Sequence, residues 1–180
     1  MIGVISDTHG LLRPEALKAL RGSLHIIHAG DVGSPEILEE LSAIAPLTVV
    51  RGNVDKGAWA LKLPETEDLE VGGVSIYVLH DLAQLDLKPR SAGFAAVVSG
   101  HSHVPKQETR DGVSLLQSGK RWSAKVQTSG ERWEANRGGW EGSGRTHEPT
   151  ALGPAENAVC ICQGQKPIVA LQRREPVPAQ

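Results

Sequence analysis

Three scarcities bound what this chain does. Cysteine occurs only twice in 180 residues, at Cys160 and Cys162. The pair is too close in an extended segment to build a disulfide framework, and so low a count fits a reducing compartment. An excess of one charge is also missing: 19 Lys and Arg stand against 21 Asp and Glu, a net charge of -2 with a pI near 6.4. That balance excludes the basic footprint by which nucleic-acid binders are recognised. Long apolar runs are absent too. Met1 leads directly into Ile2-Gly3-Val4-Ile5, with neither the charged leader of a signal peptide nor the roughly 20-residue apolar stretch of a membrane span. The expectation is a soluble, cytoplasmic protein without membrane or nucleic-acid partners, and with self-association into a homo-oligomer left open.

The length suits a single domain, 1–180, with a sizeable core. Composition nevertheless shifts along it. Residues 1–117 carry 10 basic and 15 acidic side chains and alternate apolar runs with helix-like stretches. Between Ser118 and Thr150 there are six glycines, three tryptophans (Trp122, Trp133 and Trp140) and one large aliphatic, Val126. Such a stretch offers no periodic apolar face, so an irregular insertion is expected at about 118–153, removable between Trp122 and Glu148 without loss of the fold. Strand-like runs return at Ala158–Cys162 and Pro167–Leu171. No internal repeat is present.

Periodicity places the elements. Ile2 to Ser6 has the character of a buried strand, and a helix is expected from Pro14, where proline suits the first turn. Leu24–His28 and Leu47–Val50 are further strands. Between them Ser34 is a plausible N-cap, and Ile37, Leu38, Leu41 and Ile44 recur at helical spacing. This strand-helix alternation predicts parallel pairing with right-handed crossovers. Gly72-Gly73 and Asp111-Gly112 each separate two extended runs, a hairpin signal. Ala95–Ser99 feeds a turn at Gly100. The predicted class is α/β, with two packed sheets and outer helices.

Acids and histidines recur just beyond these strands: Asp7-Thr8-His9, Gly30-Asp31, Gly52-Asn53-Val54-Asp55, His80-Asp81 and Gly100-His101-Ser102-His103. In an open α/β sheet, ligands bind in the crevice beyond the carboxyl ends of the strands, so residues distant in sequence converge there. Side chains two apart in an extended segment point the same way, which lets Asp7 and His9, and likewise His101 and His103, enter one pocket. Carboxylates, imidazoles and the Asn53 amide oxygen form a mixed donor set that suits Mn²⁺, Fe, Zn²⁺ or Ni²⁺ better than Ca²⁺ or Mg²⁺. Seven ligands, Asp7, His9, Asp31, Asn53, His80, His101 and His103, exceed the needs of one ion. Two cations about 3.5–4 Å apart would use them all, with Asp31 as the candidate bridge. Each motif alone would more often be an ordinary turn; together, in order and at strand ends, they are not.

This ordered set resembles the calcineurin-like metallophosphoesterases, and within them the small bacterial YfcE-type phosphodiesterases, over roughly residues 1–117 with a last strand near 167–173. The resemblance implies a four-layer α-β-β-α sandwich of two mixed sheets. It implies one metal on Asp7, His9, Asp31 and His103 and another on Asp31, Asn53, His80 and His101, most often as Mn²⁺, with Asp31, Asn53 and His101 closest to catalysis. The activity expected is hydrolysis of a small phosphodiester, or of a phosphomonoester, by a hydroxide bridging the two cations. The alternatives are a nucleotide pyrophosphatase or phosphomonoesterase, and a catalytically weak protein-binding scaffold of the same fold, like the retromer subunit that resembles this family.

Three departures from the family pattern matter. Val54 stands where relatives place a histidine that protonates the leaving group, so activated leaving groups should be favoured, positioned general acids being worth about 10²–10⁴-fold. Asp81 replaces a glycine and is expected to orient His80 from behind. Gln117-Ser118-Gly119-Lys120 replaces an Asn-Pro-Gly-Ser turn at the pocket rim. Asp55 is expected behind the ligands or beside the substrate, and Arg51 facing the substrate phosphate, whose geometry a guanidinium matches. His25 reads as a structural histidine, His28 as lying too early to share the position of Asp31, His147 as solvated, and the two cysteines as strand packing rather than a metal site.

Overall fold

Apolar alternation within short strands, each punctuated by a turn, builds the architecture. The computed structural model describes residues 1–119 and the strands at 124–128, 159–163 and 166–170. In chain order the elements are β1 (Ile2–Ile5), α1 (Pro14–Leu20), β2 (His25–His28), α2 (Pro35–Ser42), β3 (Leu47–Val49), β4 (Thr66–Val71), β5 (Val74–Leu79), α3 (Pro89–Ala92), β6 (Ala96–Ser99), β7 (Lys106–Arg110), β8 (Val113–Gln117), β9 (Ala124–Thr128), β10 (Val159–Gln163) and β11 (Lys166–Ala170), with 3-10 turns at Ala60–Lys62 and Leu82–Gln84. Among the described residues all three helices start on proline, whose fixed φ and missing N–H fit the first turn. At α2, Ser34 has the extended backbone of an N-cap but makes no capping bond. Its hydroxyl is donated to the Glu36 carboxylate instead.

The strands form two mixed sheets, β11-β10-β9-β1-β2-β3 and β4-β5-β6-β8-β7. β1, β2 and β3 run parallel, as do β5, β6 and β8. Two-residue periodicity sorts side chains between layers. Ile2, Val4, Ile27, Val74, Ile76, Val78, Ala96, Val98 and Leu116 fill the space between the sheets. On the outer face of the first sheet, Ile5 and Ile26 pack with Leu20 of α1 and Ile37 and Leu41 of α2. On the outer face of the second, Tyr77, Leu79, Val97, Val113 and Leu115 are covered by Leu82, Leu85, Leu87 and Phe94. Among the described residues the outer layer there is a 3-10 turn and a helix of four residues rather than a full-length helix.

One expectation is corrected. Within the stretch read as an insertion, Ala124–Thr128 is strand β9, antiparallel to β1 with Ile2 opposite Val126, and it joins β1 to β10. Periodicity missed it because backbone pairing on two flanking strands defines a strand even where its own apolar pattern is weak. Excising Trp122 to Glu148 would therefore remove a central strand. The rest of that stretch, with Trp133, Trp140 and His147, lies outside the described residues. Among the described residues no helix is long and apolar enough to cross a membrane.

Candidate metal centre

The loops leaving the carboxyl ends of β1, β2, β3, β5 and β6 bring all seven predicted ligands to one crevice. Asp7 and Asp31 form its floor, with 0% and 2% of their surfaces exposed, whereas His101 and His103 lie at the rim. The extended-strand reasoning for Asp7 with His9 and for His101 with His103 is corrected: all four are left-handed, at φ 54°, 48°, 70° and 58°. Asp31 is left-handed too, at φ 56°, so among the described residues five of the six non-glycine residues with positive φ are predicted ligands. Such conformations persist only where the surroundings over-determine them, and they concentrate at functional sites.

Distances define the clustering. One set, Asp7, His9 and His103, and another, Asp7, Asp31 and His80, each place their ligand atoms within 4.8 Å of one another. The His9 and His103 rings stack at 5.1 Å, and those of His80 and His101 meet edge-on at 5.2 Å. Asp31 Oδ2 lies 3.9 Å from His9 Nε2 and 3.4 Å from His80 Nε2, so one carboxylate oxygen stands between the two groups. Asp7 Oδ1 lies 3.8 Å from His103 Nε2. Asn53 Oδ1 lies 3.0 Å from His80 Nε2 and 3.1 Å from His101 Nδ1.

These donors fit cations. His80 Nδ1 donates to the Ala29 carbonyl at 2.7 Å, so in the neutral ring Nε2 carries the lone pair, and that lone pair faces Asn53 Oδ1 and Asp31 Oδ2. Acceptors facing acceptors repel unless a positive charge lies among them. His9 Nε2 is buried and has no hydrogen-bond partner among the described residues. Orphaned buried polar atoms are rare and point to an absent ligand or ion.

Backbone amides and small residues hold the carboxylates. Asp7 accepts from Ser6 Oγ through Oδ2 and from the His101 amide through Oδ1 at 3.2 Å; Asp31 Oδ1 accepts from the Val54 amide at 2.9 Å. Gly52 is required by proximity: a Cβ there would sit 2.1 Å from Asp31 N and Oδ1. At Gly30 a Cβ would lie 2.5 Å from His80 Nδ1, and its φ of 86° is also left-handed.

The remaining predicted residues divide. Asp55 is buried and accepts from the Gly33 and Gly52 amides, both at 2.8 Å, tying the β2 and β3 loops together. Arg51 lines a cleft of about 770 Å³ beside Asn53, His80 and His101, with its guanidinium paired to the exposed Glu65. Asp81 does not orient His80; it accepts from the Ala83 amide at 2.9 Å, capping the 3-10 turn that follows. The Ala29 carbonyl does the orienting, a role of main-chain atoms that no side-chain motif announces. His25 is satisfied by Thr48 Oγ1 at 2.8 Å. Burial pushes the His28 imidazole down to about 4.

Comparison with known proteins agrees with this geometry. A "probable metallophosphoesterase" of Methanothermobacter thermautotrophicus is 35% identical over 131 residues, covering 66% of this chain and 76% of that protein. Among solved structures, Vacuolar Protein Sorting 29 of Cryptosporidium parvum superposes with a TM-score of 0.62 at 14% identity, covering 96% and 97% of the two chains. A structure described as a novel archaeal phosphodiesterase gives a TM-score of 0.58 at 23% identity, covering 66% and 83%. Both structural likenesses concern the fold alone. The family model of the calcineurin-like phosphoesterase superfamily domain matches residues 1–132. With that match over most of its length and this constellation at its strand ends, the chain belongs to the calcineurin-like phosphoesterase superfamily.

Proposed function

We propose that this metal-dependent phosphoesterase works with two divalent transition-metal ions, Mn²⁺ first among them, on small phosphodiesters in the cytoplasm, as a single domain. The observation that carries the reading is Asp31 Oδ2 standing between His9 Nε2 and His80 Nε2, imidazoles supplied by opposite sheets. Asp7, His9, Asp31 and His103 would hold one ion, and Asp31, Asn53, His80 and His101 the other. When bound, two such cations supply Lewis acidity and activate a water nucleophile at neutral pH.

The chain's own residues position and shield. The buried Asp7 and Asp31 are fixed by amide and hydroxyl donors, which keeps their carboxylates aimed at one point. Arg51, in the cleft beside Asn53 and His101, is placed to exchange Glu65 for a substrate phosphoryl oxygen. Val54 is partly exposed and cannot donate a proton, so the leaving group departs unassisted from that position. Aryl phosphodiesters should therefore turn over faster than alkyl ones.

A scaffold reading draws on the Vps29 likeness, but all seven ligand positions here keep metal-binding side chains. The test is metal content of the purified protein, followed by turnover of an aryl phosphodiester, an alkyl phosphodiester, an aryl phosphomonoester and a nucleotide pyrophosphate after chelation and Mn²⁺ return. Restored hydrolysis led by the aryl phosphodiester is expected. A protein that takes up no metal and hydrolyses none of the four overturns the proposal. Preference for the monoester or the pyrophosphate moves the substrate to that class.

A further inference from the structure

His28 and Thr8 form a buried relay whose place in the fold is the foundation of the ligand loops. Thr8 lies between Asp7 and His9, both left-handed. Its Oγ1 donates to the Val32 carbonyl at 2.9 Å and lies 3.0 Å from His28 Nε2. A hydroxyl has one proton. With that proton on Val32 O, Thr8 Oγ1 can only accept from the imidazole, so the bond sets His28 as the Nε2–H tautomer. His28 Nδ1 is then a bare acceptor, and it is buried with no partner among the described residues.

The relay spans the two loops that share the metal centre. Main-chain bonds run beside it from Asp7 N to Gly30 O, from His9 N to Asp31 O, and from Gly10 N to Val32 O, at 3.0, 3.0 and 2.7 Å. Those three align the backbones, but only the Thr8 hydroxyl grips a side chain between the two ligands. Left-handed non-glycine residues are strained and need over-determination to persist.

We infer that His28, acting through Thr8, is a positioning residue that holds Asp7 and His9 in metal-binding geometry. It touches neither substrate nor ion, and its effect is on metal affinity. The inference rests on the metal reading above. Complete burial holds the ring neutral near pH 7 and keeps Nε2–H available as donor.

The test compares Thr8→Val, Thr8→Ser, His28→Leu and His28→Gln in the full chain. Mn²⁺ affinity is read from free-ion electron paramagnetic resonance at a temperature where circular dichroism shows each variant folded, and thermal midpoints are recorded alongside. Partners behind metal ligands typically contribute about 10–100-fold to affinity. Thr8→Val and His28→Leu should weaken Mn²⁺ binding within that range, and a variant combining these two substitutions should bind no more weakly than the worse of them alone. Thr8→Ser, which keeps the hydroxyl, should bind within about threefold of the wild type, the margin being well under one tenfold step of 1.4 kcal/mol. If His28→Leu does not fold, the Thr8→Val and Thr8→Ser pair decides. Lowered midpoints with unchanged Mn²⁺ affinity would make the relay merely structural and overturn the inference. A wild type that binds no Mn²⁺ overturns the metal reading and this inference together, whereas tight binding by wild type and all variants overturns this inference alone.

Discussion

Replacing Gly52 by alanine places a methyl carbon 2.1 Å from both the amide nitrogen and Oδ1 of Asp31. The first of these contacts is with the backbone, so a rotamer change of the Asp31 side chain cannot relieve both. Gly52 is not among the residues with positive φ, which leaves steric overlap, not backbone conformation, as the whole perturbation. Asp31 must shift by about 1 Å or more to restore ordinary contact, and it takes with it the Val54 bond and the oxygen standing between His9 and His80. Overpacking of this kind destabilises by about 1–3 kcal/mol. A misplacement of about 1 Å in a catalytic group costs about 100-fold in rate, or about 2.7 kcal/mol of barrier. The expected outcome for Gly52→Ala is a folded protein with reduced metal content and a turnover at least about 100-fold down. Gly22→Ala is the control: at φ 77° with nothing within 4 Å of the added carbon, it should lose about 1–2 kcal/mol of stability and leave turnover alone. Metal analysis, phosphodiester hydrolysis and urea denaturation on the three proteins decide. Full metal content with near-wild-type turnover in Gly52→Ala would refute the reasoning.

Asp31→Asn and His101→Ala should each lower turnover by about 100-fold or more while circular dichroism stays native, because both side chains serve the crevice and not the packed layers; wild-type rates in either would remove that residue from the ligand set. Asp55→Ala leaves the buried Gly52 amide and the part-buried Gly33 amide without their acceptor, and the urea-derived stability should fall by about 1–3 kcal/mol for the Gly52 donor, with a smaller loss added by Gly33. His28 gives a pH dependence of definite sign: its folded pKa of about 4, set by burial against a rise from Asp55 and a further lowering by His80, lies below the ordinary imidazole value of 6.5. The unfolded chain therefore takes up this proton first, and stability that is complete above about pH 6.5 declines toward pH 4 by about 3 kcal/mol. His28→Gln should flatten that slope in denaturation series across the window, and an unchanged slope would assign the acid sensitivity to other groups.

Much of the fold was legible because its signals are local. Alternation along Val74–Leu79 sends Val74, Ile76 and Val78 between the sheets and Tyr77 and Leu79 outward, a consequence of a period of two that any half-buried strand obeys. The glycines beside Asp31, Asn53 and His101, and the position of each ligand just past an apolar run, likewise announced that the loops would meet at one edge. The amino-acid order thus determined which seven residues gather in one crevice. Tertiary structure alone decided how they are held. Left-handed backbone at Asp7 and His9, the Ala29 carbonyl behind His80, and the His28–Thr8–Val32 relay depend on atoms brought together across 20 residues or more, and main-chain acceptors have no signature in sequence. Asp81 looked like a partner of His80 because the two are adjacent, yet the turn that follows offers its amide and takes the carboxylate. Strand β9 shows the same limit at the level of the sheet: hydrogen bonding to β1 and β10 defines it, and those neighbours are supplied by the fold rather than by residues 124–128 themselves.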